Sequence, residues 1–99
     1  MSKTDKRVQK WLDDPPVDAP FEQVEAVLKR YFQNGIRRKG SHITVTDKRL
    51  IGMMEFGLSG DFQICVRGGQ RVIQVYLKRL ANAVQIINSL ENSEHEKWS

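Results

Sequence analysis

The sequence is poor in the residues that cross-link proteins, bind metals or span membranes. It contains a single cysteine, Cys65, and two histidines, His42 and His95, among its 99 residues. One thiol cannot form an internal disulfide, and these three side chains have no recognisable metal-ligand spacing. No apolar run approaches the roughly 20 residues that cross a bilayer, and "MSKTDKRVQKW" lacks the apolar core of a secretory signal. We therefore expect a cytoplasmic protein with no metal, small-molecule cofactor or membrane partner.

Positive charge is what the sequence has in excess. The formal net charge is +4, and seven of the sixteen cations fall between Lys29 and Arg49, where Asp47 is the only acidic residue. Such clustering favours a polyanionic partner, because each neutralised phosphate releases condensed counterions. An ordinary solvated basic surface has the same composition, so charge alone leaves both interpretations open. A hydrophobic content of 39% over this length indicates one folded domain, residues 1–99.

Apolar residues recur at helical spacing in three segments. Residues 5–14 predict a short N-terminal helix that ends at "DDPP". A longer amphipathic helix follows, with Pro20 suited to its first position and Gly35 to its end. A last helix is predicted over residues 75–90. Beyond it, residues 91–99 are polar, and we expect them to form a mobile tail.

Strand-like alternation marks the middle of the chain. Residues 36–45 predict a strand, a tight turn at "KG" and a second strand, and residues 61–67 alternate in the same way. One face of these strands is apolar, formed by Ile43, Val45, Phe62, Ile64 and Val66. The two main helices have only that face to cover, so His42 is expected on the opposite, solvent-exposed face. Residues 47–60 are compatible with an extra strand or with a long apolar loop that binds a partner.

The order of these elements predicts an α+β fold. We expect a small antiparallel sheet with the two main helices packed on one face, in the order α-β-β-β-α, after the short N-terminal helix. The open face would then carry His42 beside the basic segment "RRK". Histidine titrates near neutral pH and can move protons during RNA cleavage, while arginine and lysine hold the phosphates.

The stretch "PFEQVEAVLKRY…GIRRKGSHITV" resembles HicA-type toxins, the small ribonucleases of bacterial toxin–antitoxin pairs. The specific motif is Gly-Ser-His at positions 40–42, and the likeness covers a HicA-like core over residues 19–90. It implies a fold like the double-stranded-RNA-binding domain, metal-independent cleavage of mRNA with His42 as the catalytic residue, and a HicB-type antitoxin as protein partner. The residues expected to bind the RNA are Arg37, Arg38, Lys39, Gly40, Ser41, Arg67 and Arg71.

Two departures from the family pattern affect this hypothesis. Many members have another histidine or an aromatic residue after the catalytic histidine, whereas Ile43 and Thr44 stand here. The connection over residues 47–60 is also longer than in a compact family hairpin, and no second general acid is identifiable. A non-catalytic RNA-binding domain and a protein-interaction module therefore remain as alternative interpretations.

Overall fold

The computed structural model describes residues 3–53 and 56–98, and the side chains among them up to residue 91. This part of the chain is an α+β fold with three helices and two antiparallel sheets. Its elements in chain order are α1 (Lys3–Asp13), β1 (Asp18–Pro20), α2 (Phe21–Tyr31), β2 (Ile36–Lys39), β3 (His42–Thr46), a short 3₁₀ helix (Lys48–Leu50), β4 (Asp61–Cys65), β5 (Arg71–Ile73) and α3 (Gln74–Trp98). Across these residues, no helix combines the length and hydropathy that a membrane span requires.

The main sheet has the strand order β2-β3-β4 and is antiparallel throughout. Val45 faces Ile36 on one side and Phe62 on the other, and His42 likewise faces Lys39 and Cys65. Because directly paired residues share a face, the apolar side chains lie on one side of the sheet and the polar ones on the other. The predicted alternation is confirmed, since Ile43 and Val45 are fully buried while His42 is exposed.

The helices bury their apolar sides against the inner face of this sheet. Val24 and Val27 of α2 and Leu80 and Val84 of α3 have no exposed surface. Helix α1 joins the same core, because Trp11 is 2% exposed and belongs to the same buried cluster. The short N-terminal helix is therefore an integral part of the hydrophobic core.

Several element boundaries differ from the sequence-based prediction. Pro20 is the residue before α2, and its extended backbone pairs with Arg71 across a two-stranded sheet of β1 and β5. Three-residue strands leave no detectable alternation, which is why this pair was not predicted. The third helix continues to Trp98, beyond the predicted end at Leu90, because polar residues without a glycine or proline do not stop a helix.

The segment between β3 and β4 is anchored in the core. Asp47 accepts a hydrogen bond from the Arg49 backbone N–H at 2.9 Å and so begins the 3₁₀ helix. Leu50 is fully buried, and the Phe56 ring packs 5.5 Å from the Phe62 ring, measured between centroids. The described residues of this segment contain no strand, so they form the loop alternative of the two that the sequence left open. Met54 and Glu55 lie outside the described residues.

Gly60 closes this segment, and its replacement by alanine is expected to destabilise the protein. Its φ of 73° is in the left-handed region, and an added Cβ would lie 2.2 Å from the Asp47 carbonyl oxygen. The left-handed backbone costs a non-glycine residue about 1–2 kcal/mol, and the clash adds about 1–3 kcal/mol. Urea denaturation of Gly60→Ala measures the loss.

Gly52→Ala is the matched control for this substitution. Gly52 also has a positive φ, 88°, but an added Cβ would meet no atom of the described residues within 4 Å. The free energy of unfolding of Gly52→Ala should fall only by the cost of placing an alanine in the left-handed region. Equal free energies of unfolding for the two variants would contradict the predicted clash.

Candidate functional site

The hairpin between β2 and β3 holds His42 on the open face of the sheet. Gly40 has a φ of 61° and occupies the first central position of a two-residue turn, the position that a type II′ turn gives to glycine. This turn sets Lys39 opposite His42. Arg37 lies two residues from Lys39 on β2 and therefore shares the same face. The Ser41 hydroxyl oxygen is 3.5 Å from Nδ1 of His42.

The second neighbour of His42 is Cys65 on β4. The backbone N–H of Val66 donates to the carbonyl of Ser41 at 2.8 Å, so the adjoining pair of His42 and Cys65 is a non-hydrogen-bonded pair of the ladder. Side chains of such pairs lie closest, with Cα atoms about 4.5 Å apart. The imidazole and the partly buried thiol are therefore direct neighbours.

The first turn of α3 adds Tyr76 to this surface. A side-chain hydrogen bond with Cys65 is the main cause of a raised pKa of Tyr76, followed by burial of the hydroxyl. The guanidinium groups of Arg79 and Arg67 act in the opposite direction and lower this pKa. The Arg79 guanidinium carbon is 5.8 Å from the centroid of the Tyr76 ring. A neutral phenol and two cations thus lie beside the pair of His42 and Cys65.

The cation cluster predicted from the sequence is partly dispersed by ion pairing. Lys29 is 3.5 Å from Glu25, Arg30 is 3.3 Å from Asp5, and Arg49 is 2.7 Å from Asp47. Arg49 also bonds Glu91 and the Tyr31 carbonyl, and so ties the 3₁₀ helix to α3 and α2. These ion pairs engage three of the seven clustered cations, and Arg37 and Lys39 are the members of that cluster that share the face of His42.

Two of the expected RNA-binding arginines lie elsewhere. Arg38 is paired with Ile43, on the helix-covered side of the sheet, and its guanidinium stacks 4.7 Å from the centroid of the Phe21 ring. Arg71 is paired with Arg67 across the turn before β5, but its guanidinium forms an ion pair with Asp18 that joins β5 to β1. The structure therefore groups Arg37, Lys39, Gly40, Ser41 and Arg67 near His42, whereas Arg38 lies on the other side of the sheet and Arg71 is engaged by Asp18.

Sequence reasoning missed Tyr76 and Arg79 as members of the site. In the sequence, Tyr76 falls within the apolar periodicity of the last helix, and its ring does pack partly against the core. Strand alternation had already placed Cys65 on the same face as His42. The missing information was the tertiary contact between the first turn of α3 and the end of β4, for which the sequence carries no local signal.

Comparison with family models, with curated proteins and with solved structures gives no match for this chain. The chemistry must therefore be argued from the surface itself. His42 is exposed on an open face of the sheet. An exposed imidazole flanked by cations and a phenol on an open surface suits an extended polyanion better than an enclosed small molecule.

Proposed function

We propose that this protein is a metal-independent endoribonuclease of the HicA type, which cleaves mRNA at His42. The observation that carries the proposal is the position of His42, exposed on the open sheet face between Lys39 and Cys65. The order α2-β2-β3-β4-α3 supports a relationship to the double-stranded-RNA-binding domain, the fold that the HicA resemblance implies. On this proposal a HicB-type antitoxin inhibits the enzyme by covering the open face.

The reaction requires a proton acceptor for the 2′-hydroxyl, a proton donor for the 5′-oxygen and positive charge at the phosphate. The RNA 2′-hydroxyl loses its proton and its oxygen attacks the adjacent phosphorus, after which the bond to the 5′-oxygen breaks and that oxygen takes up a proton. The products are a 2′,3′-cyclic phosphate and a 5′-hydroxyl end. His42 transfers a proton at this phosphodiester, and Arg37 and Lys39 stabilise the negative charge that develops on the phosphoryl oxygens.

Tyr76 supplies a second polar group in this proposal. A phenol is protonated at neutral pH, and the pKa of Tyr76 is raised further by the hydrogen bond with Cys65, so its O–H can donate a hydrogen bond. Within the protein this hydroxyl is hydrogen-bonded with the Cys65 thiol, a weak acceptor that a phosphate oxygen can replace. Arg79 over the Tyr76 ring adds positive charge at the same place.

The direct test is incubation of the purified protein with mRNA in the presence of EDTA. We expect cleavage, with products that carry 2′,3′-cyclic phosphate and 5′-hydroxyl ends. RNA binding without cleavage would replace the proposal with a non-catalytic RNA-binding domain. Neither binding nor cleavage would leave a protein-interaction module as the better interpretation.

Tyr76→Phe is expected to lower the cleavage rate about tenfold while preserving the fold. The variant keeps the ring that packs beside Arg79 and removes only the hydroxyl, and one hydrogen bond contributes about 1.4 kcal/mol. Single-turnover cleavage at saturating protein measures the change. Tyr31→Phe is the matched control, because its hydroxyl donates to Asp5 on α1. Equal rates for Tyr76→Phe and the wild type would remove Tyr76 from the site.

A further inference from the structure

A second basic surface lies on α1, on the helical layer of the fold. Its cations occur at positions i, i+3, i+4 and i+7 and therefore share one side of the helix. They line a shallow groove together with residues from the start of α2 and from the connection before β1. The lining side chains that matter here are Lys3, Lys6, Arg7, Lys10, Pro16 and Gln23.

These four cations differ from the two cations of α2 in their partners. Among the described side chains, none of the four forms an ion pair, whereas Arg30 is paired with Asp5 and Lys29 with Glu25. Asp5 lies on the other side of α1, toward α2. Asp13 accepts a hydrogen bond from Gln9 at 3.1 Å, and no carboxylate from the described residues lines the groove.

The residues around the groove identify the class of partner. A membrane-surface helix needs an exposed apolar side, but Val8 and Trp11 of α1 are buried in the protein core. Protein interfaces favour exposed aromatic anchors and are depleted in lysine, whereas three of the four cations here are lysines. Flexible ammonium groups spread along about 10 Å of helix suit successive phosphates of one nucleic acid strand.

We propose that this α1 groove binds the phosphate backbone of RNA as a second contact surface, separate from the face that carries His42. The inference rests on the proposed function only in its choice of RNA as the polyanion, and it does not require cleavage. The groove would extend the RNA-binding footprint from the sheet face to the helical layer.

The test is the salt dependence of RNA binding in a non-cleaving background. His42→Ala serves as the parent, and fluorescence anisotropy measures the affinity for a labelled single-stranded RNA between 50 and 200 mM salt. The variant Lys6→Gln/Lys10→Gln should lower the slope of log K against log salt by about 1.4, since each lost phosphate contact contributes about 0.7 on a single strand. Circular dichroism confirms that the variant is folded.

Lys29→Gln/Lys48→Gln is the matched control, because it removes the same charge from exposed positions outside the groove. Its slope should change by less than half as much as that of the groove variant. Equal slopes for the two variants, or no RNA binding by the parent, would overturn the inference. If the groove variant loses binding to anionic phospholipid vesicles while its salt dependence of RNA binding equals that of the parent, the groove binds a membrane surface instead. Wild-type protein that binds RNA through the groove but does not cleave it would refute only the proposed nuclease.

Discussion

Replacing His42 by alanine is expected to abolish RNA cleavage and to leave the fold and RNA binding intact. Proton transfer by a positioned side chain accelerates such reactions about 10²–10⁴-fold, and the sheet face offers no second imidazole among the described residues. The side chain is exposed, and its contact with the Ser41 hydroxyl at 3.5 Å is too long to contribute much stability. Affinity for RNA should persist because Arg37 and Lys39 remain.

The measurement combines cleavage rates in EDTA with RNA affinities for the same preparations. His95→Ala is the matched control, since it removes the only other histidine of the chain and should cleave RNA at the wild-type rate. Equal cleavage by wild type and His42→Ala would indicate a contaminating nuclease or a different catalytic residue. A loss of cleavage that accompanies an equal loss of RNA affinity would make His42 a binding residue.

The face of the sheet on which His42 lies could be predicted because it depends on local alternation. Ile43 and Val45 must enter the core, so the intervening and preceding residues point outward whatever the remaining chain does. The turn was predictable for a similar reason, since glycine at position 40 accepts the positive φ that a two-residue hairpin requires. These features are encoded within a few neighbouring residues.

The composition of the site depended on contacts between distant residues. Arg30 meets Asp5 across 25 positions, and Arg71 meets Asp18 across 53, so a count of cations along the sequence overstated the basic surface around His42. Tyr76 reaches Cys65 only because α3 begins beside the end of β4. Such pairings follow from how the helices pack on the sheet, which hydrophobic periodicity does not specify.

Trp11→Ala is expected to destabilise the whole domain by about 3–5 kcal/mol, a large share of the roughly 5–15 kcal/mol that stabilises a domain of this size. Trp11 is 2% exposed and is packed within the core cluster, so its removal leaves a cavity that the surrounding helices cannot fill. Urea denaturation followed by circular dichroism should show one cooperative transition with a midpoint lowered by about 2 M.

Val17→Ala is the appropriate control, because Val17 is 81% exposed and its truncation should change the free energy of unfolding by less than about 0.5 kcal/mol. If α1 were a separable appendage, Trp11→Ala would leave the main transition unchanged and remove only the helical signal of α1. A single shifted transition would instead show that α1 folds together with the sheet. The cations of α1 would then be held at a fixed position relative to His42, as a continuous RNA-binding footprint requires.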